Sequence, residues 1–177
     1  MKNRGPFTVT ESTVVYKNPW IEVKEDTVIR PDGKDGIFGT IDYGKGVCIV
    51  ALNEKGEIYL VKEFLYALNQ YGVGLPTGGV DAGENFLTAA KRELLEETGI
   101  VAKKWKSLGI VHPLTMILSC PHELFLATDL EQQEKEDVEV EMIKVQFEKA
   151  YEMVISGEIL HASSCVAILK AKAYLEK

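Results

Sequence analysis

The chain has 177 residues, 46% of them hydrophobic, and a formal net charge of −7 at pH 7. That length suits one domain with a proper core, and the acidic balance argues against a general nucleic-acid binder, which would carry a basic face. No apolar run approaches the ~20 residues that span a bilayer, and the opening MKNRGPFTVTEST lacks the apolar centre of a signal peptide.

In chain order, residues 13–43 read as strands: TVVY, WIEVKEDTVI and, after the turn Pro31-Asp32-Gly33, IFGTIDY. GVCIVALN and EIYLVKEF flank Asn53-Glu54-Lys55-Gly56 and predict a β-hairpin. Phe86 to Thr98 contains no Pro or Gly and is rich in strong helix formers. Leu87, Ala90, Leu94 and Thr98 form an apolar stripe at helical spacing. Asp81-Ala82-Gly83 supplies the turn before this helix, Glu84 or Asn85 its N-terminus, and Gly99 its stop. LFLAT and VEVEMIKV read as further strands. Two helices close the chain, one on Phe147, Ala150, Tyr151 and Val154 ending near Gly157, the other capped by Ser163 or Ser164 and running through Ile168 and Leu169.

The helix over 86–98 carries an unusual load. At ~100° per residue, Glu93 and Glu97 lie ~40° apart and Glu93 and Glu96 ~60° apart, so all three share one face. Arg92 pairs with Glu96 four residues on, but one Arg does not neutralise three carboxylates. Two charges about 5 Å apart repel by about 3 kcal/mol at an effective dielectric near 20. Hard oxygen ligands of this kind suit Mg²⁺ or Mn²⁺, which converts the repulsion into binding energy.

Gly78, then Glu84, then Arg92-Glu93-Leu94-Leu95-Glu96-Glu97-Thr98-Gly99-Ile100 resembles the Nudix box at every fixed position. The resemblance implies an α+β fold, an α/β/α sandwich around a mixed sheet, with the box as loop, helix and loop. It implies hydrolysis of a nucleoside diphosphate linked to another group, with Mg²⁺ or Mn²⁺ and an attacking water. In that pattern Glu93, Glu96 and Glu97 bind metal, together with the backbone carbonyl of Thr77. Arg92 orients the carboxylates, Glu84 supports the loop, and Gly78 and Gly99 serve backbone roles. The wider layout resembles the ADP-ribose and nucleotide-sugar pyrophosphatase branch. That implies an N-terminal antiparallel strand region over 1–43, used in forming a homodimer, ahead of a hydrolase domain over 44–177. It also implies a base on the acidic loop before VEVEM, with Glu134 in that role and Glu136 as an extra metal ligand.

Departures from the branch bear on the substrate. Its usual Gln-x-Arg stands here as Glu63-Phe64-Leu65, its Glu-Leu-Pro-Ala-Gly as Gly74-Leu75-Pro76-Thr77-Gly78, and its marker proline gives way to Pro113 and Thr115. Lys62, Tyr66 and Arg30 are the candidate substrate contacts, with Lys45 and Phe64 behind them, and each also reads as a surface or packing residue. ADP-ribose, giving AMP and ribose 5-phosphate, is the leading substrate. GDP-mannose, a nucleoside triphosphate, or a turnover-free binding regulator are the alternatives. The small-molecule nucleotide is the expected partner, with neither nucleic acid nor membrane. Three cysteines without metal spacing (Cys48, Cys120, Cys165) point to reduced thiols in a cytoplasm. His112, His122 and His161 stand isolated in the sequence and receive no catalytic role, though His112 beside Pro113 is placed to line a pocket.

Overall fold

The computed structural model describes residues 2–133 and 140–177. Its strands are β1 (Lys2–Arg4), β2 (Phe7–Lys17), β3 (Glu22–Ile29), β4 (Asp35–Asp42), β5 (Gly46–Ala51), β6 (Glu57–Leu65), β7 (Gln70–Gly74), β8 (Thr77–Gly79), β9 (Ile100–Val111), β10 (Leu118–Ser119), β11 (His122–Gln132) and β12 (Glu141–Gln146). The helices are α1 (Phe86–Thr98), α2 (Phe147–Ile155) and α3 (Ala162–Leu175). The chain forms two compact units, one up to Lys45 together with His112–Pro121, the other Gly46–Val111 with His122–Lys177.

The N-terminal unit is one sheet in the order β1-β2-β3-β4-β10. Its first four strands pair antiparallel, and β10 adds in parallel to the edge of β4. The Pro31-Asp32-Gly33 turn forms as the sequence predicts: Gly33 takes φ +80, and Arg30 and Lys34 close the hairpin. His112, Phe7, Val28 and Phe38 are among the residues lining a cavity of ≈ 420 Å³ within this unit.

In the second unit a mixed sheet, β8-β5-β11-β9, is the central layer. The parallel pair β5–β11 makes it mixed, because the other pairings are antiparallel. Every residue of β5 is buried, so its run of apolar residues serves two faces. Val47, Ile49 and Ala51 pack with Ala89, Ala90 and Leu94 of α1. Cys48 and Val50 pack with Ala150 and Met153 of α2 and Ala167 and Ile168 of α3. Helices therefore cover both faces of the sheet, the α/β/α arrangement the motif implies. A third sheet, β12-β6-β7, completes the unit.

The hairpin expected around Asn53–Gly56 forms only as a turn. Gly56 takes φ +74 and donates to Asn53, but beyond the single bridge Leu52–Ile58 the two strands part. β5 pairs with β11 and β8, while β6 pairs with β12 and β7. Both strands are apolar enough to sit centrally, and each gains two neighbours by separating.

α1 spans the residues the sequence predicts. Asn85 caps it, accepting from the Thr88 amide at 2.9 Å, and Gly99 ends it at φ 67 with its N–H on Leu95. The stripe is shifted at its start: Ala89, Ala90, Leu94 and Thr98 are buried, whereas Leu87 is exposed. The second terminal helix also begins earlier than its serines suggest. His161 occupies the cap position, and Ser163 and Ser164 lie inside the first turn, buried.

Candidate active site

The box folds around Arg92. Its Nε and Nη2 donate to the two oxygens of Glu84 at 3.1 and 3.0 Å, Nη1 to Glu93 at 2.6 Å and Glu96 at 3.1 Å, and Nη2 also to the Gly79 carbonyl at 2.9 Å. Asp81 lies 3.8 Å from the same guanidinium. Four carboxylates thus share one positive charge. Glu84 also accepts from the Asp81 amide, which pins the loop before α1. Hydrogen bonding to Arg92, and then to that amide, lowers the Glu84 pKa, while Arg92 is raised, first by Glu84.

Glu93 lies in a different environment. Its side chain is 13% exposed, and burial raises its pKa against the pull of Arg92, with Glu96 and Asp81 adding to the rise. The carboxylate rests against the backbone of β8, where a Cβ built on Gly78 would overlap it. Only glycine permits that approach. Glu97 faces the same strand and accepts from the Thr77 amide at 3.1 Å.

Gly78, Glu84, Arg92, Glu93, Glu97 and Thr77 are therefore brought together by β8 and α1, and Glu96 joins through Arg92. Asp81 and the Gly79 carbonyl belong to the same cluster, although the sequence offered for Asp81 only turn chemistry. Among the described residues no three His, Cys, Asp or Glu side chains stand together as a ligand set. Glu93 and Glu96 lean on Arg92, and Glu97 on an amide. The donor chemistry nevertheless fits a hard divalent cation. Three carboxylates crowd one helix face, and burial has already made the charge on Glu93 unfavourable there.

Lys62 on β6 pairs with Glu141 at 2.8 Å and sits 5.7 Å above the Tyr71 ring. Tyr66 opens a short 3₁₀ turn and is 91% exposed. Arg30 belongs to the N-terminal unit, 3.7 Å from Asp32. Glu134 and Glu136 lie outside the described residues.

Two histidines are less isolated than their sequence positions suggest. The rings of His122 and His161 are 5.9 Å apart, and their Nδ1 atoms lie 2.9 Å from Ser163 Oγ and Ser164 Oγ respectively. Burial lowers both pKa values, that of His122 to about 4 with His161 contributing.

Comparison with known proteins gives the family and the fold. The NUDIX domain model matches residues 42–155, and the chain belongs to the Nudix family. Residues 7–41 match the model described as nucleoside diphosphate sugar hydrolase N-terminal domain. An ADP-ribose pyrophosphatase of Bacillus subtilis (strain 168) is 30% identical, covering 95% of this chain and 93% of the relative. One of Mycobacterium tuberculosis (strain ATCC 25618 / H37Rv) is 25% identical over 94% of this chain and 84% of its own. A crystal structure titled ADP compounds hydrolase superposes with a TM-score of 0.85 at 20% identity, covering 99% and 97% of the two chains, which establishes a common fold.

Proposed function

We propose that the protein hydrolyses the pyrophosphate bond of a nucleoside diphosphate linked to another group, foremost a nucleotide sugar such as ADP-ribose, giving AMP and ribose 5-phosphate. The observation that carries this is the carboxylate cluster of α1 beside β8: Glu93 and Glu96 pair with Arg92, and Glu97 accepts from the Thr77 amide of β8. The substrate class is supported by the description of the N-terminal family model and by the names of the two relatives that align along most of the chain.

Glu93, Glu96 and Glu97, with the Thr77 carbonyl, would hold Mg²⁺ or Mn²⁺. When bound, the ion offsets diphosphate charge and acidifies a water. Arg92 holds Glu93 and Glu96 in place, since its guanidinium is itself fixed by both oxygens of Glu84 and by the Gly79 carbonyl. Gly78 keeps β8 close enough for the Glu93 carboxylate to lie against it. Glu134 accepts the proton of the attacking water in this reading, and Glu136 would be an extra metal ligand. Lys62, Tyr66 and Arg30 are the proposed substrate contacts.

The same reading includes a homodimer joined through the N-terminal strands, in a cytoplasmic setting. Val15, Trp20 and Ile37 of that unit expose 56%, 75% and 66% of their surfaces, as an interface would require. The three cysteines remain thiols, and no helix among the described residues is long and apolar enough to cross a membrane. The deciding experiment is a panel of ADP-ribose, GDP-mannose and nucleoside triphosphates with Mg²⁺, repeated with EDTA. AMP and ribose 5-phosphate, lost on chelation, support the reading. Absence of hydrolysis across the panel overturns it in favour of a binding regulator.

A further inference from the structure

The segment that feeds the box changes partners midway. β7 pairs with β6 as far as Gly74, opposite Val61. Register pairing with the central sheet begins at Thr77, opposite Cys48. Between them Pro76 has no N–H, and its carbonyl accepts from Ile49 at 3.0 Å. Leu75 is 1% exposed, and its N–H has neither ladder available to it. A buried, unsatisfied amide costs about as much as a lost hydrogen bond.

Ser164, 89 residues later, fills that gap. Its Oγ, on a fully buried residue, accepts from the Leu75 amide at 3.0 Å. The hydroxyl lies 2.9 Å from His161 Nδ1, donating to it in the Nε2–H tautomer and accepting from it in the Nδ1–H tautomer. The Cys48 thiol, 3.8 Å from the same oxygen, stays protonated in the core, its pKa pushed up to about 12 by burial. The approach is continuous along the chain. Ile159 bridges Val73 in parallel, and a Cβ on Gly74 would lie 3.3 Å from Ser164 Oγ and 3.9 Å from the His161 Cβ. Two residues beyond Leu75, the Thr77 amide holds Glu97, and one further on Gly78 supports Glu93.

We propose that Ser164 is a positioning residue for the catalytic loop. Its hydroxyl, oriented by His161, fixes Leu75 and so sets the register of Thr77 and Gly78 against Glu97 and Glu93. This rests on the box being the hydrolytic site. The C-terminal helix thereby contributes to catalysis without touching substrate. Small displacements of a reacting centre cost up to about a hundredfold in rate, so a tenfold effect on turnover is the expected scale.

The test compares wild type, Ser164→Ala and Ser164→Thr by amide hydrogen exchange, thermal melting and steady-state kinetics. In Ser164→Ala the Leu75 and Thr77 amides should exchange about tenfold faster or more, while those of Leu124 and Leu126 in β11 keep their protection. kcat should fall about tenfold or more with KM within about twofold, and Ser164→Thr should restore both kcat and protection. Wild-type protection at Leu75, or wild-type kcat despite lost protection, overturns the proposal. So does a folded Ser164→Thr that restores neither. Should Ser164→Ala not fold, His161→Ala, which removes the imidazole partner of the hydroxyl, tests the orienting contact in its place: unchanged Leu75 and Thr77 exchange and kcat reject the proposal that His161 orients Ser164 to set the loop. If wild type hydrolyses nothing in the panel, the functional reading fails while the exchange of Thr77 still decides whether Ser164 sets the loop.

Discussion

Gly78→Ala tests the site through its tightest contact. A Cβ at this position overlaps the Glu93 carboxyl group, so either the side chain swings away or β8 withdraws from α1. The first route breaks the 2.6 Å ion pair with Arg92, a charge-assisted bond of about 1.5–3 kcal/mol. The second breaks the Thr77–Glu97 bond at 3.1 Å and the pairing of Thr77 with Cys48. Swinging away is the less costly, because burial already disfavours the charge on Glu93, and release to water returns part of the loss. A net cost of about 1–2 kcal/mol follows, a fall of roughly 2–8 °C in melting temperature for a chain of this size. Activity should suffer far more, by about a hundredfold or more, because a proposed metal ligand leaves the site. The assay pairs thermal melts with and without Mg²⁺ with hydrolysis of ADP-ribose, and the stabilisation by Mg²⁺ should shrink with the activity. A folded Gly78→Ala protein with wild-type turnover would refute the placement of Glu93.

Glu97→Gln keeps an acceptor for the Thr77 amide but removes a charge. Turnover should drop by about two orders of magnitude or more with the melting temperature unchanged or slightly higher without metal, and retained activity would remove Glu97 from the ligand set. Glu134→Gln should lower kcat about a hundredfold or more while Mn²⁺ binding, followed by calorimetry, persists. Unchanged turnover eliminates that base. For His122 the folded pKa of about 4 lies below the ordinary 6.5, so the unfolded chain binds more protons between those values. The stability it supports is complete above about pH 6.5 and lost as pH falls towards 4, up to about 3 kcal/mol. Denaturant unfolding at pH 7 and 4.5 should show a shallower acid loss for His122→Gln than for wild type, and identical losses would contradict the assignment.

Local chemistry was legible in the sequence. α1, its glycine stop and the carboxylate spacing depend on residues within a few positions of one another, and the helix repeat projects Glu93, Glu96 and Glu97 onto one face without any tertiary information. The alternation of β5 between two cores was also latent in its unbroken apolar run. Only the tertiary structure decided what depends on distant pairings. Asn53–Gly56 specifies a turn but not that β5 and β6 prefer other partners to each other. Likewise no local pattern ties β10 to β4, brings His122 within 5.9 Å of His161, or sets Ser164 under the Leu75 amide. Spacing along a chain encodes a helix face because the helix repeat is fixed. It does not encode which buried donor, tens of residues away, a hydroxyl will meet, because that follows from how sheets and helices pack once their apolar faces are buried.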